Sequence, residues 1–238
     1  MKHFLLDDLG QSLTDASPDC QGGSNIRRFF SDSLAFFKDL TYVSRMSKLI
    51  YITNTSLDGY IEDETGAFDW LNPDQVHEFI TDLVRPIGTY LYGRRLYETM
   101  VYWAGPVDGY PPEHRDFATV WQKHEKIVFS RTLTTATTHN TRLERDFDPE
   151  AIRKLKQESE QDIAIGGAEL AGLALEANLV DDCHLFVHPM IVGGGKPAFP
   201  PTLRRNLELL ETRRFDTGVI SVRYRIRGST LVEQLHLT

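Results

Sequence analysis

From residue 47 onward, short runs rich in β-branched and aromatic residues take turns with stretches whose apolar residues recur at helical spacing. KLIYITNT, TYLYG, EKIVFS, DIAI and DCHLFVHPMIV read as strands, and residues 207–226, which include GVISVRYRIR, hold two or three more. NPDQVHEFITDLV reads as a helix with Asn72 as N-cap and Pro73 at the first helical position. RRLYETM, DPEAIRKLKQESEQ and ELAGLALEANLV read as further helices. Such alternation demands right-handed crossovers and a mostly parallel sheet, and the strand-rich end adds an antiparallel hairpin at one edge. The expected architecture is one α/β domain over residues 46–238, and 238 residues at 41% hydrophobic are ample for its core.

Residues 1–45 differ. A polar stretch leads into RRFFSDSLAFFKDL, where Phe29, Phe30, Leu34, Phe36, Phe37 and Leu40 fall roughly on one helical face. This extension reads either as a tail upstream of Met46 or as an aromatic docking or dimerisation helix.

Charge and cysteine usage exclude several classes. A net charge of −8 argues against general nucleic-acid binding, which wants a basic face. Cys20 and Cys183 are too few for a disulfide framework, which fits a reducing cytoplasm. No apolar stretch approaches the roughly 18–20 residues of a membrane span. The first residues carry acids where a signal peptide would be basic. The expectation is a soluble, cytoplasmic protein with a small-molecule substrate.

Three strand ends carry candidate chemistry. In DIAIGGAELAG, Gly166 and Gly167 join a buried strand to a helix beginning near Ala168 or Glu169. The first helical turn leaves N–H groups unpaired and carries partial positive charge, so a pyrophosphate would fit there; a tight turn without a ligand is the plain alternative. In YGRRLYE, a strand ends at Gly93 and delivers Arg94 and Arg95 to a helix N-terminus, where cations are disfavoured unless an anion is also bound. In IVFSRTL, a strand delivers Ser130 and Arg131. Ligands of open α/β sheets bind beyond such carboxyl ends, and this set suits NADPH better than NADH.

The ordered segments TSLDGYI, WLNP, YGRRLYE, VFSRTL, IAIGGAEL and HPMIVGGGKPAF resemble the dihydrofolate reductase superfamily. The likeness is closest to the reductase domain of the bacterial bifunctional riboflavin-biosynthesis deaminase/reductase and its stand-alone relatives. It implies a dihydrofolate-reductase-like three-layer fold, with a central mostly parallel sheet and flanking helices. It also implies an NADPH-dependent hydride transfer, and relatives are commonly homodimers. By this resemblance Gly93, Arg94 and Arg95 hold the 2′-phosphate, with Ser130 and Arg131 beside them. Gly166, Gly167, Ala168 and Glu169 form the pyrophosphate turn, and the backbone of Asn54 meets the nicotinamide. The usual Thr after G-R-x is Leu96 here.

On the substrate side, the resemblance points to Trp70, Gln75 and Phe79. Gln75 stands where dihydrofolate reductase has a carboxylate, and Ile52 where the riboflavin branch often has lysine. Asp58 of SLDG reads as a proton-relay carboxylate or as the cap of a tight turn. Gly193–Gly195, with Gly194 central, and Lys196 read as a phosphate cradle or a flexible turn. Cys183 faces away from His184 and His188, so a metal site is not expected and the histidines read as structural. VYWAGPVDGYPP, with Tyr102, Trp103 and Tyr110, reads as a loop.

The favoured function is an NADPH-dependent reductase of the riboflavin-biosynthesis type, acting on a C=N or C=O carbon of a small heterocycle or opened sugar. The alternatives are dihydrofolate reductase activity and a catalytically silent NADP-binding scaffold.

Overall fold

The computed structural model describes residues 46–71 and 74–227. The extension over 1–45, the Asn72–Pro73 cap and the side chain of Gln75 lie outside the described residues. The strands are β1 (Leu49–Thr55), β2 (Tyr60–Glu62), β3 (Ile87–Gly93), β4 (Glu125–Phe129), β5 (Thr141–Glu144), β6 (Asp162–Gly166), β7 (Asp182–Val187), β8 (Lys196–Pro197), β9 (Leu207–Arg214) and β10 (Ile220–Ile226). The helices are α1 (Asp74–Val84), α2 (Arg94–Met100), α3 (Pro112–Lys123), α4 (Pro149–Glu158) and α5 (Ala168–Glu176).

Among the described residues, one eight-stranded sheet has the order β5-β4-β3-β6-β1-β7-β10-β9. The strands from β5 to β7 are mutually parallel, while β10 is antiparallel to both β7 and β9. The expected hairpin is therefore present at one edge.

Burial on both faces explains why β1 reads as nearly continuous apolar sequence. Leu49 and Tyr51 project into a core with Ile163, Ile165 and Cys183, closed by Ile152 of α4 and Leu170 and Leu175 of α5. Ile50 projects to the other face, among Tyr90, Tyr97 of α2 and Phe117 and Trp121 of α3. The result is three layers, with α4 and α5 on one face of the sheet and α1, α2 and α3 on the other.

Four elements escape the sequence reading: α3, β5 and the short antiparallel pair β2 and β8. The α3 segment begins with Pro112 in its first turn and follows Pro111, so it looked like the end of a loop; it buries Phe117, Ala118, Val120 and Trp121. Strand β5 is a polar edge strand, TRLE, without apolar alternation. One expected strand is also shorter. DCHLFVHPMIV pairs only to Val187, because Pro189 has no N–H and restricts the residue before it. His188 adds a last bond, from its N–H to Thr55 O at 2.8 Å.

Buried charge fixes the amino ends of the central strands. The side chain of Asp182 is 1% exposed, and its Oδ2 accepts from Lys48 Nζ at 2.9 Å and Arg223 Nη2 at 2.7 Å. Asp181 accepts from Leu49 N at 2.7 Å and pairs with buried Lys156 at 2.6 Å, and Asp162 accepts from Lys48 N at 2.9 Å. Lys126 on β4 is fully buried, donates to Trp121 O and His124 O, and lies over the Trp121 ring; burial pulls its pKa down to about 8. Among the described residues no helix is long and apolar enough to cross a membrane.

Burial alone would raise the Asp182 carboxyl, but the bonds from Lys48 and Arg223 outweigh it and hold the carboxyl below the ordinary carboxylate range. Asp182→Asn is expected to cost roughly 2–3 kcal/mol at neutral pH, measured by urea unfolding. The stabilisation is complete above the unfolded pKa of about 3.9 and is lost as pH falls through the lower folded value. The difference between wild type and variant should therefore close in acid.

Candidate functional site

Parallel strands place their carboxyl ends on one edge of the sheet. Across that edge the order is β4 with Ser130 and Arg131, β3 with Gly93 and Arg94, β6 with Gly166 and Gly167, then β1 with Asn54. Ser130 and Asn54 lie three strand positions apart, about 14 Å at ordinary sheet spacing.

The two glycines have different reasons. Gly167 has φ +86° and caps α5 without any side-chain cap, so the first amides of that helix have no intrahelical acceptor. Gly166 packs against Leu96 of α2: an added Cβ would stand 2.5 Å from Leu96 Cδ2, so that side chain would have to shift. Gly93 caps α2 and borders open space, with nothing within 4 Å of an added Cβ.

At the β3 and β4 end Arg94 and Arg131 stand at the ends of adjacent strands, while Arg95 turns toward Glu62 of β2. Arg94 donates from Nε to Glu98 Oε1 at 2.7 Å and from Nη1 to Thr132 Oγ1 at 2.8 Å. Ser130 Oγ accepts from the N–H groups of Thr132 and Leu133, so the Ser-Arg-Thr turn is locked and tied to Arg94. Arg131 is 77% exposed beside Asp146 at 2.5 Å, and Arg95 is 80% exposed at 3.8 Å from Glu62. Exposed pairs of this kind are weak, which leaves three guanidinium groups free to exchange a carboxylate for a phosphate.

Next to the β1 end, Ser56 through Tyr60 form a turn in which Ser56 Oγ accepts from Tyr60 N, and Gly59 takes φ +88°. The Asp58 carboxylate accepts from Gly193 N at 2.8 Å and Val192 N at 3.2 Å, clamping this turn to the glycine loop. Gly195 has φ +126° and passes β2 so closely that a Cβ would stand 2.1 Å from Glu62 O. Lys196 bridges Glu62 at 3.1 Å and Glu169 of α5 at 3.0 Å. Burial works against the Lys196 charge, but those two carboxylates outweigh it and raise its pKa.

The α1 face of the sheet holds the remaining candidates. Phe79 packs against the rings of His184, Phe186 and Phe215, with the Arg213 guanidinium 4.7 Å over it. His184 stacks on Phe186 and shares a 2.6 Å hydrogen bond with Ser221; burial pushes its pKa down to about 4. His188 Nε2 lies 3.0 Å from Asn54 Oδ1, and its ring meets Trp70 edge to face at 5.8 Å.

Residues 47–221 match the family model of the RibD C-terminal domain. The chain belongs to this family. The uncharacterized protein YyaP of Bacillus subtilis (strain 168) is 32% identical over 186 residues, covering 77% of this chain and 97% of that protein. A Thermotoga maritima diaminohydroxyphosphoribosylaminopyrimidine deaminase/5-amino-6-(5-phosphoribosylamino)uracil reductase superposes with a TM-score of 0.55 at 16% identity, covering 79% of this chain and 59% of that one. Dihydrofolate reductase from Enterococcus faecalis, complexed with NADP(H), superposes at 0.54 with 16% identity, covering 77% of this chain and 98% of that one. At these identities the two structures bear on the fold, which is dihydrofolate-reductase-like as expected.

Two expectations change within this family frame. Asp58 takes the turn-capping reading: its carboxylate accepts from the Gly193 and Val192 amides, and the Ser56 side chain, then these amides, hold its pKa below the ordinary carboxylate range. The Gly193–Gly195 loop does not make a phosphate cradle at Gly194. An open groove of about 300 Å³ there is lined by Asp63 and Glu64, and a Cβ on Gly194 would stand 2.8 Å from the Glu64 carboxylate. Anions are repelled from such a lining.

His188 is the residue that the sequence reading undervalued. Its even-numbered face was legible, but its neighbour depends on the β1–β7 register, which pairs Asn54 with Phe186.

If Asp58 clamps the loop, Asp58→Asn should speed hydrogen exchange at the Val192 and Gly193 amides and leave the β1–β6 ladder protected. Equal protection in both proteins would mean that the loop holds itself.

Proposed function

We propose that this chain is an NADPH-dependent reductase of the riboflavin-biosynthesis type, similar to 5-amino-6-(5-phosphoribosylamino)uracil reductase. The observation that carries this reading is the order along the sheet edge: exposed guanidinium groups, then an uncapped helix N-terminus after Gly167, then the end of the central strand. A dinucleotide with an extra phosphate at one end asks for that order.

The residues fit the cofactor chemically. Arg94, Arg95 and Arg131 would pair with the 2′-phosphate, and Ser130 holds the turn that presents Arg131. The amides of Ala168 and Glu169 would face the pyrophosphate. Leu96 brings no hydroxyl to this end and instead packs on Gly166. The end of β1 at Asn54 would meet the nicotinamide through its backbone. When bound, NADPH supplies a hydride to a C=N or C=O carbon, while the protein supplies orientation and a water-poor pocket. The accompanying proton would come from an ordered water, since both Asp58 oxygens are engaged by the Val192 and Gly193 amides.

Calorimetric titration with NADPH and NADH tests the reading. Wild type should prefer NADPH clearly. Arg94→Ala should weaken NADPH roughly 10- to 100-fold, the worth of a charge-assisted phosphate contact, and leave NADH nearly unchanged. Equal loss for both would remove Arg94 from the 2′-phosphate, and no binding of either would overturn the reductase assignment.

A further inference from the structure

We propose that His188 is a positioning residue: it holds the Asn54 carboxamide so that its NH2 group faces the substrate pocket as a neutral hydrogen-bond donor. The inference rests on the reductase reading above for what the pocket is, and on side-chain geometry for what His188 does.

His188 is 2% exposed and sits one residue past β7, fastened through its N–H to Thr55 O at the end of β1. Its Nε2 is 3.0 Å from Asn54 Oδ1. A carboxamide oxygen only accepts, so Nε2 carries the proton and donates. Burial depresses the ring's pKa, which keeps the imidazole neutral with a bare Nδ1. With Oδ1 engaged by His188, Nδ2 of the same carboxamide must point elsewhere, and it makes no hydrogen bond among the described residues.

Where it points follows from the sheet. Side chains alternate along a strand, and parallel register pairs Ile52 with His184 and Asn54 with Phe186. Asn54 therefore projects on the face that carries Phe79 of α1, not on the face closed by α5. Its backbone belongs to the proposed cofactor edge and its side chain to the substrate half.

Two ring nitrogens at this place also lack partners, as do several other buried polar atoms among the described residues. His188 Nδ1 and Trp70 Nε1 are both buried without partners, although their rings touch. Unsatisfied buried polar groups are costly and rare, and those that persist call for a functional explanation. The contacts of Asn54, His188 and Trp70 among the described residues include no carboxylate. The Asn54 NH2 group, which makes no hydrogen bond among the described residues, is thus a donor for a neutral ligand that presents a carbonyl or ring-nitrogen acceptor. Among the described residues the pocket sets no carboxylate against a protonated aminopyrimidine.

The test uses the whole protein. Imidazole ¹⁵N–¹H correlation spectra without any ligand should show His188 with its proton on Nε2. Calorimetry on NADPH-saturated protein should show binding of 5,6-diaminouracil and none of 2,4-diaminopyrimidine. His188→Leu should weaken 5,6-diaminouracil roughly tenfold, with NADPH affinity and the urea midpoint reported for the same sample. His188→Gln, which can still donate to Oδ1, should recover most of that loss. Asn54→Asp should lose the uracil and gain the diaminopyrimidine.

A proton on Nδ1, unchanged uracil affinity in His188→Leu, failure of His188→Gln to rescue a folded protein, or no uracil binding by wild type would each overturn the proposal. Failure of wild type to bind NADPH would instead remove the reductase reading. The imidazole tautomer and the uracil titration of the cofactor-free protein would then still decide the role of His188.

Discussion

Everything at the candidate site depends on β1 being held in register between two parallel neighbours. Its ladder to β6 pairs Leu49 with Ile163, and its ladder to β7 pairs Ile50 with Asp182. A one-residue slip in either would turn Asn54 into the wrong layer. The register is fixed at the far end of the sheet, where Asp162, Asp181 and Asp182 engage Lys48 N, Leu49 N and Lys48 Nζ. The acids that set the alignment and the arginines that would use it thus occupy opposite ends of the same strands.

The sheet edge proposed for the cofactor was largely legible in the sequence because its signals are local. A strand, a glycine and a helix start within a few residues of one another, and the parallel rule then brings three such junctions to one edge. The neighbour of Gly166 was not legible, since Leu96 belongs to another element. Helix α3 went unread because Pro111 and Pro112 look like loop residues, while its buried face is confined to Phe117, Ala118, Val120 and Trp121.

The substrate half resisted reading because long-range contacts build it. Asp58 meets Gly193 across 135 residues, and His188 meets Asn54 across 134. Lys196 looked like a free cation for a phosphate, but folding places it between Glu62 and Glu169. Residue type gave the chemistry available at each of these positions, and only the topology assigned the partner.

The contact of Leu96 with Gly166 has a mechanical consequence. Leu96 follows Arg94 by two residues on the same helix, so the element that carries the guanidinium group rests directly on the strand that leads into the glycine turn. The two junctions proposed to hold the adenosine and pyrophosphate ends of the cofactor are therefore packed against each other. A ligand that engages both ends orders little that was loose beforehand, and the entropic cost of gripping a long flexible molecule is reduced in advance.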